Sequence, residues 1–419
     1  MEPQNRIGLG RLTKMAFDGV DLNSYRTQLL NQSVRCENPA GAFMDLSVID
    51  QIFGNLQLGL EWQAKALDLH RGYSTNRRGG DQKKLLVLAE AGPMGANTPV
   101  EFLLKDYDFE IITYYPQLGS ADMETLPEHD VMFCASPVDS PKAQDFHDHV
   151  AHLTRTSPLR ALNLPQSPVR FERDALASFF PKIAGLRFPE TICVPGQAPA
   201  QTIEELIRDR IGDYPVVIRP EGSHAGVGLA KLATQSELID YLETHDAQAF
   251  YVSEFVDYAS PQDGSFRKYR IVFVDGVAFP CHMAVSDQWD VWYMNSKMGE
   301  SDEKRHEEAT FMDRFEADFA VRHGSSFAAL TGAVDLEYFG IDCAEDAAGN
   351  LIVFEADNAL IVHDMDPEDI FPYKGRHMRR IFKAFEAMLR DACLDDQVRE
   401  AVPTETGQAN SRTQAHVLA

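Results

Sequence analysis

Leu85-Leu86-Val87-Leu88 is an unbroken apolar run, and it limits what this chain can fold into. A run so short and so uniformly apolar suits a strand buried on both faces, as in a parallel sheet covered by helices. The loop Ala91-Gly92-Pro93-Met94-Gly95 follows, and a helix begins at Pro99. Phe109–Tyr115 and Val131–Ala135 are further strand-like runs. Strand and helix alternating at this spacing predict a doubly wound α/β domain over residues 81–160.

Residues 1–80 have a different period. Phe43, Leu46, Ile49, Ile52 and Phe53 recur at three- and four-residue intervals, Gly54-Asn55 breaks the pattern, and Leu58, Leu60, Trp62, Ala66, Leu67 and Leu69 resume it. Two helices around a Gly-Asn turn resemble one tetratricopeptide-type hairpin; the plainer reading is a helical arm packed on the main body. The arm is a candidate docking site for a protein partner. Apolar periodicity is missing from the last stretch, so 396–419 is expected to be a disordered tail.

Composition narrows the function classes. The 419 residues are 44% hydrophobic and 25% charged, the balance of an ordinary globular protein of two to four domains. With 39 basic against 64 acidic residues, the formal charge of −25 opposes binding to phosphodiester backbones or anionic lipid. The expectation is no nucleic acid and no membrane partner. No 18-residue apolar window occurs, and the opening Met1–Arg6 is polar without the apolar stretch of a secretory signal, so a cytoplasmic location is expected. The six cysteines are scattered singly and read as reduced thiols.

The segment from Tyr214 to Leu232 is the most informative. Tyr214–Pro220 reads as a strand, Glu221–Gly228 as a loop with Gly222, Gly226 and Gly228, and Leu229–Leu232 as a return strand. Glycines in such a flap let backbone N–H groups approach an anion, although a hairpin with no ligand has the same pattern. Further on, Ala249–Tyr258 and Phe266–Val274 read as strands, the second opening with the basic cluster Arg267, Lys268 and Arg270. Trp292, Tyr293, Asn295 and Lys297 stand in an aromatic-rich stretch, and Glu303–His323 reads as a solvated helix face.

Two late strands carry carboxylates. Glu355 and Asp357 are two apart and share a strand face, and Asp342 lies on the partner strand across the Gly349-Asn350 turn. Hard oxygens on one face suit Mg²⁺, because like charges this close are costly unless a cation sits between them. A surface cluster in water is the other reading, which the apolar flanks Ile341 and Leu351–Phe354 disfavour.

In this order, the Val-Val-Ile-Arg-Pro strand with its flap, Tyr251–Val256, Lys268-Tyr269-Arg270, and Gly340-Ile341-Asp342 before Phe354–Asp357 resemble the ATP-grasp superfamily. Within it, the carboxylate–amine ligases that include glutathione synthetases and ribosomal-protein glutamate ligases are the nearest. The resemblance covers roughly residues 83 to 391. It implies an α/β (α+β) ATP-grasp fold over 161–395, preceded by the doubly wound domain and the N-terminal helical hairpin. By the same resemblance, Arg173 and Arg219 would hold ATP phosphates, with Gly222, Ser223, Gly226 and Gly228 as the flap above them. Glu254, Phe255 and Val256 would meet adenine and ribose. Arg270 would bind the acyl phosphate, and Asp342, Glu355 and Asp357 would hold Mg²⁺. Lys268, His282, Tyr293 and Asn295 are weaker candidates for substrate contact. His282 can equally be a satisfied core imidazole, and His363–Asp366 can equally cap a helix.

Three departures from the family pattern stand out. Both phosphate-contacting Lys positions are Arg, a planar fork in place of a point donor. Glu-x-Asn is Glu-x-Asp, with Asn358 directly after. The Asp of D-x-R is Lys268, which suggests an anionic, carboxylate-bearing substrate. The activity implied is an ATP- and Mg²⁺-dependent ligase joining a carboxylate to an amine through an acyl phosphate, on small-molecule or peptide substrates. An ester-forming peptide macrocyclase or a small-molecule kinase on the same scaffold, or a weakly catalytic nucleotide sensor, are the alternatives.

Overall fold

The computed structural model describes residues 2–119, 124–155, 157, 159–223 and 226–401. The chain is mixed α/β with three sheets. Four helices open it: α1 (Leu9–Phe17), α2 (Leu22–Arg35), α3 (Ala40–Ile52) and α4 (Leu56–Leu69). α3 and α4 are the two helices expected from periodicity. α1 and α2 were not foreseen, because few of their residues are apolar and buried; Leu12 is the fully buried residue of α1, and Leu22 and Leu29 those of α2. The arm packs on the body through Ala40, Met44 and Tyr73, which meet Ala89 and Tyr115.

The first sheet contains β1 (Gln4–Asn5), β2 (Gly72–Thr75), β3 (Lys83–Leu88), β4 (Phe109–Tyr114), β5 (Val131–Cys134) and β6 (Ala161–Leu162), in the order β1-β2-β4-β3-β5-β6. β3 lies parallel to both β4 and β5. Leu85, Leu86 and Leu88 have no exposed surface, as a strand covered on both sides requires.

β7 (Leu186–Arg187) leads to a four-stranded sheet of β8 (Thr191–Pro195), β9 (Val216–Pro220), β10 (Ala230–Leu232) and β11 (Ala249–Glu254), ordered β10-β9-β11-β8. Val194, Val216, Ile218, Phe250 and Val252 project from one face into a core closed by the helices Ala200–Leu206 and Gln235–Thr244. Alternation sends Cys193, Arg219 and Tyr251 to the opposite, open face, where they are aligned in register.

The third sheet joins β7 to β12 (Phe266–Val274), β13 (Val277–Ser286), β14 (Tyr338–Glu345) and β15 (Leu351–Asp357), ordered β13-β12-β14-β15-β7. Tyr269, Ile271, Phe273 and Ile341 pack into the core on one side. On the other, Val272 and Val274 meet the closing helix through Phe382 and Phe385. That helix runs Lys374–Ala401, ten residues past the end expected at Asp391 and into the segment read as a tail. Residues 402–419 lie outside the described residues. No disulfide joins the six cysteines, and no helix among the described residues is long and apolar enough to cross a membrane.

Candidate active site

A row of charged side chains crosses the third sheet. In the ladder, His282 of β13 faces Arg270 of β12, Arg270 faces Asp342 of β14, and Asp342 faces Glu355 of β15. Residues paired this way share a face, so four strands place four polar groups side by side. The register slips beside the row on both sides, at Arg270/Ile271 and at Asp342/Cys343. Each slip leaves one extra residue, Cys281 and Phe354, and such bulges re-aim the side chains next to them.

The charged members of the row are ion-paired. Arg270 grips Asp342 with two bonds, Nε to Oδ1 at 2.8 Å and Nη2 to Oδ2 at 3.1 Å. Lys268, two residues earlier on the same face, reaches Asp342 Oδ2 at 2.8 Å. Burial opposes ionisation of Asp342, but Arg270 and Lys268 outweigh it and hold the carboxyl well below the usual range. Arg173, from the segment before β7, donates to Glu355 at 2.6 Å. Burial likewise opposes ionisation of Glu355, and Arg173 reverses the balance. Asp357 lacks such a cation. Burial, then Asp139 and Glu355, push its carboxyl up to about 7, although it accepts the Ala359 N–H at 2.6 Å.

Arg219 approaches from the other sheet. Its Nε donates to Ser223 Oγ at 3.0 Å, and it also donates to the Ser223 carbonyl. Among the described residues it has no carboxylate partner within ion-pair distance. Burial, then repulsion from Arg173, lower its guanidinium to about 10. Arg173, held on Glu355, and Arg219, from β9, are thus close enough to repel each other. The loop that holds Ser223 has Gly222, Gly226 and Gly228 at φ of 69°, 74° and 67°. At Gly228 a Cβ would also lie 2.6 Å from the Pro220 ring, so no larger residue fits without movement. His224 and Ala225 lie outside the described residues.

The remaining expected residues divide. Glu254 pairs with Arg187 of β7. Phe255 sits under the Lys231 ammonium, 3.4 Å from the ring centre, with Trp289 edge-on at 5.8 Å. Val256 is buried, so only its backbone could meet a ligand, as the resemblance implies for this hinge. Asn295 does not join the row: it accepts from Trp292 N–H and donates to the Asp290 carbonyl, closing its own loop. His282 stacks edge-on against Tyr293 at 4.9 Å. Burial, then Arg270, keep its imidazole neutral, and its Nδ1 is buried with no partner.

Tyr293 leads to groups that the sequence reading missed. Its hydroxyl donates to Glu308 at 3.0 Å, Tyr373 donates to the same oxygen at 2.6 Å, and Lys374 lies 3.5 Å from the other. Glu308 has no exposed surface, which corrects the reading of its helix as a solvated face. The signal was present: Phe311, Met312 and Phe315 follow it at three-, four- and seven-residue spacing, the buried stripe of that helix. Two other expectations change. Arg267, on the opposite strand face from Lys268, pairs with Asp263 and Glu307, so the basic island does not act as one patch. Asp366 binds Lys374 and Asp364 binds Lys105, tying their loop down.

The three carboxylates come together, but not as a cage for a divalent ion. Among the described residues no group of three His, Cys, Asp or Glu side chains is placed to hold a metal ion. Asn358, the alternative to Asp357, is fully buried: it donates to the Ser136 carbonyl at 2.8 Å and accepts from Val138 N–H at 3.0 Å. It is a clamp between β15 and the loop after β5.

No family model matches the chain, and no curated protein does. Similar solved structures are ATP-grasp ligases. The VanG D-Ala:D-Ser ligase from Enterococcus faecalis is 10% identical over 74% of this chain and 100% of that one, with a TM-score of 0.46. The D-alanine–D-alanine ligase from Bacillus anthracis complexed with ATP is 12% identical over 77% and 99%, at 0.43. A RimK domain ATP-grasp protein from Sphaerobacter thermophilus is 14% identical over 74% and 99%, at 0.42. With TM-scores below 0.5, none of these likenesses bears on what the chain does.

Proposed function

We propose that this chain is an ATP-dependent ligase that joins a carboxylate to an amine through an acyl phosphate. The observation that carries the reading is that Arg173, held on Glu355, neighbours Arg219, which is tied to Ser223 in a glycine-containing loop, in a strongly acidic protein. A site that gathers guanidiniums while the rest of the surface repels anions is built for a polyanion. A triphosphate is the polyanion whose chemistry suits the rest of the row.

A carboxylate does not acylate an amine at neutral pH, because oxide is a poor leaving group. Transfer of the γ-phosphoryl group to the carboxylate oxygen makes phosphate the leaving group and releases ADP; attack by the amine then forms the amide. Arg173 and Arg219 would hold the phosphates in line, and Arg270 would stabilise charge on the acyl oxygen. The Ser223 loop, tied to Arg219, would cover the phosphates and keep water from the intermediate. The open face with Tyr251 and Cys193, bounded by Phe255, would take the base and sugar. The neutral His282, edge-on to Tyr293 and opposite Arg270, would line the acceptor side of the site.

The test is ADP release with ATP, Mg²⁺, pooled amino acids and small carboxylates. Turnover in the parent that disappears in Arg219→Ala supports the assignment. Turnover that survives this substitution puts the phosphates elsewhere.

A further inference from the structure

Lys268 occupies the place where the resemblance implies an aspartate. Exchanging Asp for Lys changes the local charge by two positive units, the charge one divalent ion would bring. The ammonium is not directed away into solvent: it lies 2.8 Å from Asp342 Oδ2, with its side chain only 21% exposed. Arg270 occupies both Asp342 oxygens. Arg173 holds one oxygen of Glu355. Cations thus already fill the positions from which a metal would bridge carboxylate to phosphate. Lys268, Arg270, Arg173 and Arg219 together set four positive charges against Asp342 and Glu355, with the acids Asp357 and Asp139 alongside.

We propose that Lys268, acting with Arg270 on Asp342, replaces a bridging divalent ion, so that this site holds a nucleoside triphosphate by fixed side-chain charge without requiring metal. The inference rests on the nucleotide reading above and goes beyond it. Lys268 is a positioning residue: it neutralises Asp342 and leaves Arg270 and Arg219 to meet phosphate oxygens directly. Arg in place of Lys at positions 173 and 219 fits the same scheme, since a fork makes two bonds to phosphate where an ammonium makes a point contact.

The experiment is calorimetric titration of the full chain with ATP, in EDTA and in excess Mg²⁺, for the parent, Lys268→Met and Lys268→Arg. Circular dichroism checks that each variant is folded. The parent is expected to bind ATP with affinities within threefold in the two buffers. Lys268→Met is expected to bind at least tenfold more tightly with Mg²⁺ than without, and Lys268→Arg to behave like the parent. A parent that binds tenfold more tightly with Mg²⁺ overturns the inference and leaves the nucleotide reading intact. Metal independence that persists in folded Lys268→Met removes Lys268 from the account. No ATP binding in either buffer overturns the nucleotide reading itself. If Lys268→Met does not fold, the parent and Lys268→Arg titrations still decide whether binding needs metal.

Discussion

Arg270 and Asp342 stand opposite each other on adjacent strands, and the guanidinium holds the carboxylate with parallel bonds of 2.8 and 3.1 Å. The pair sits at the centre of the row that runs from His282 to Glu355. It fixes the plane of the Arg270 fork, whose Nη1 also donates to the Ile361 carbonyl at 3.3 Å.

Arg270→Met should cost about 3 kcal/mol of stability, because it leaves Asp342 buried with Lys268 as its remaining close cation. Arg270→Lys should cost less, keeping the charge and losing the second bond. Urea denaturation reads both, and an unshifted midpoint for Arg270→Met would mean that the pair is not holding the sheet.

Arg219 behaves differently. Its hydrogen-bond partners among the described residues are the Ser223 hydroxyl and carbonyl, so stability should change by less than about 0.5 kcal/mol in Arg219→Gln. Affinity for ATP should fall roughly 10- to 100-fold, the worth of a charge-assisted hydrogen bond or two. Equal affinity would show that the flap arginine does not touch the phosphates.

Asp357 gives the site a pH dependence. Its carboxyl is pushed up to about 7 in the folded chain, against about 3.9 unfolded. Between those values the folded state keeps a proton that the unfolded state has released, so stability falls as pH rises from about 4 to 7 and levels off above. Asp357→Asn removes this slope and should gain up to about 4 kcal/mol over the parent at pH 8, with little difference at pH 4. Melting curves across that range check it; parallel curves would contradict the raised carboxyl.

Asn358→Ala should cost about 2–4 kcal/mol, since it orphans the Val138 N–H and the Ser136 carbonyl in a buried seam. Asn358→Asp should be no better, because a carboxylate cannot donate to the Ser136 carbonyl. Chemical denaturation measures both; wild-type stability in either would show that the clamp is dispensable.

Much of the fold was legible where one residue's neighbours in sequence are also its neighbours in space. The runs at 85–88, 109–115 and 131–135 became β3, β4 and β5, and the Val216–Leu232 hairpin folded around its glycines. Strand alternation could also have separated Arg267 from Lys268. What was not legible depends on distant partners. β1 is two polar residues whose strand status comes from Tyr73 and Ser74, some seventy positions away. Glu308 is buried because Tyr373 and Lys374 arrive from the far end of the chain to satisfy it. The pairing of Lys268 with Asp342 was likewise invisible, since spacing shows charges of both signs and not which of them meet.

The most direct measurement is a hydroxylamine trap. The full chain would be incubated with ATP and Mg²⁺, pooled amino acids, small carboxylates and peptides, with hydroxylamine as the amine. The account predicts a hydroxamate formed in step with ADP and absent in Arg219→Gln, because an acyl phosphate is intercepted. ADP release without hydroxamate for any carboxylate, or tight ATP binding with no turnover at all, would contradict it.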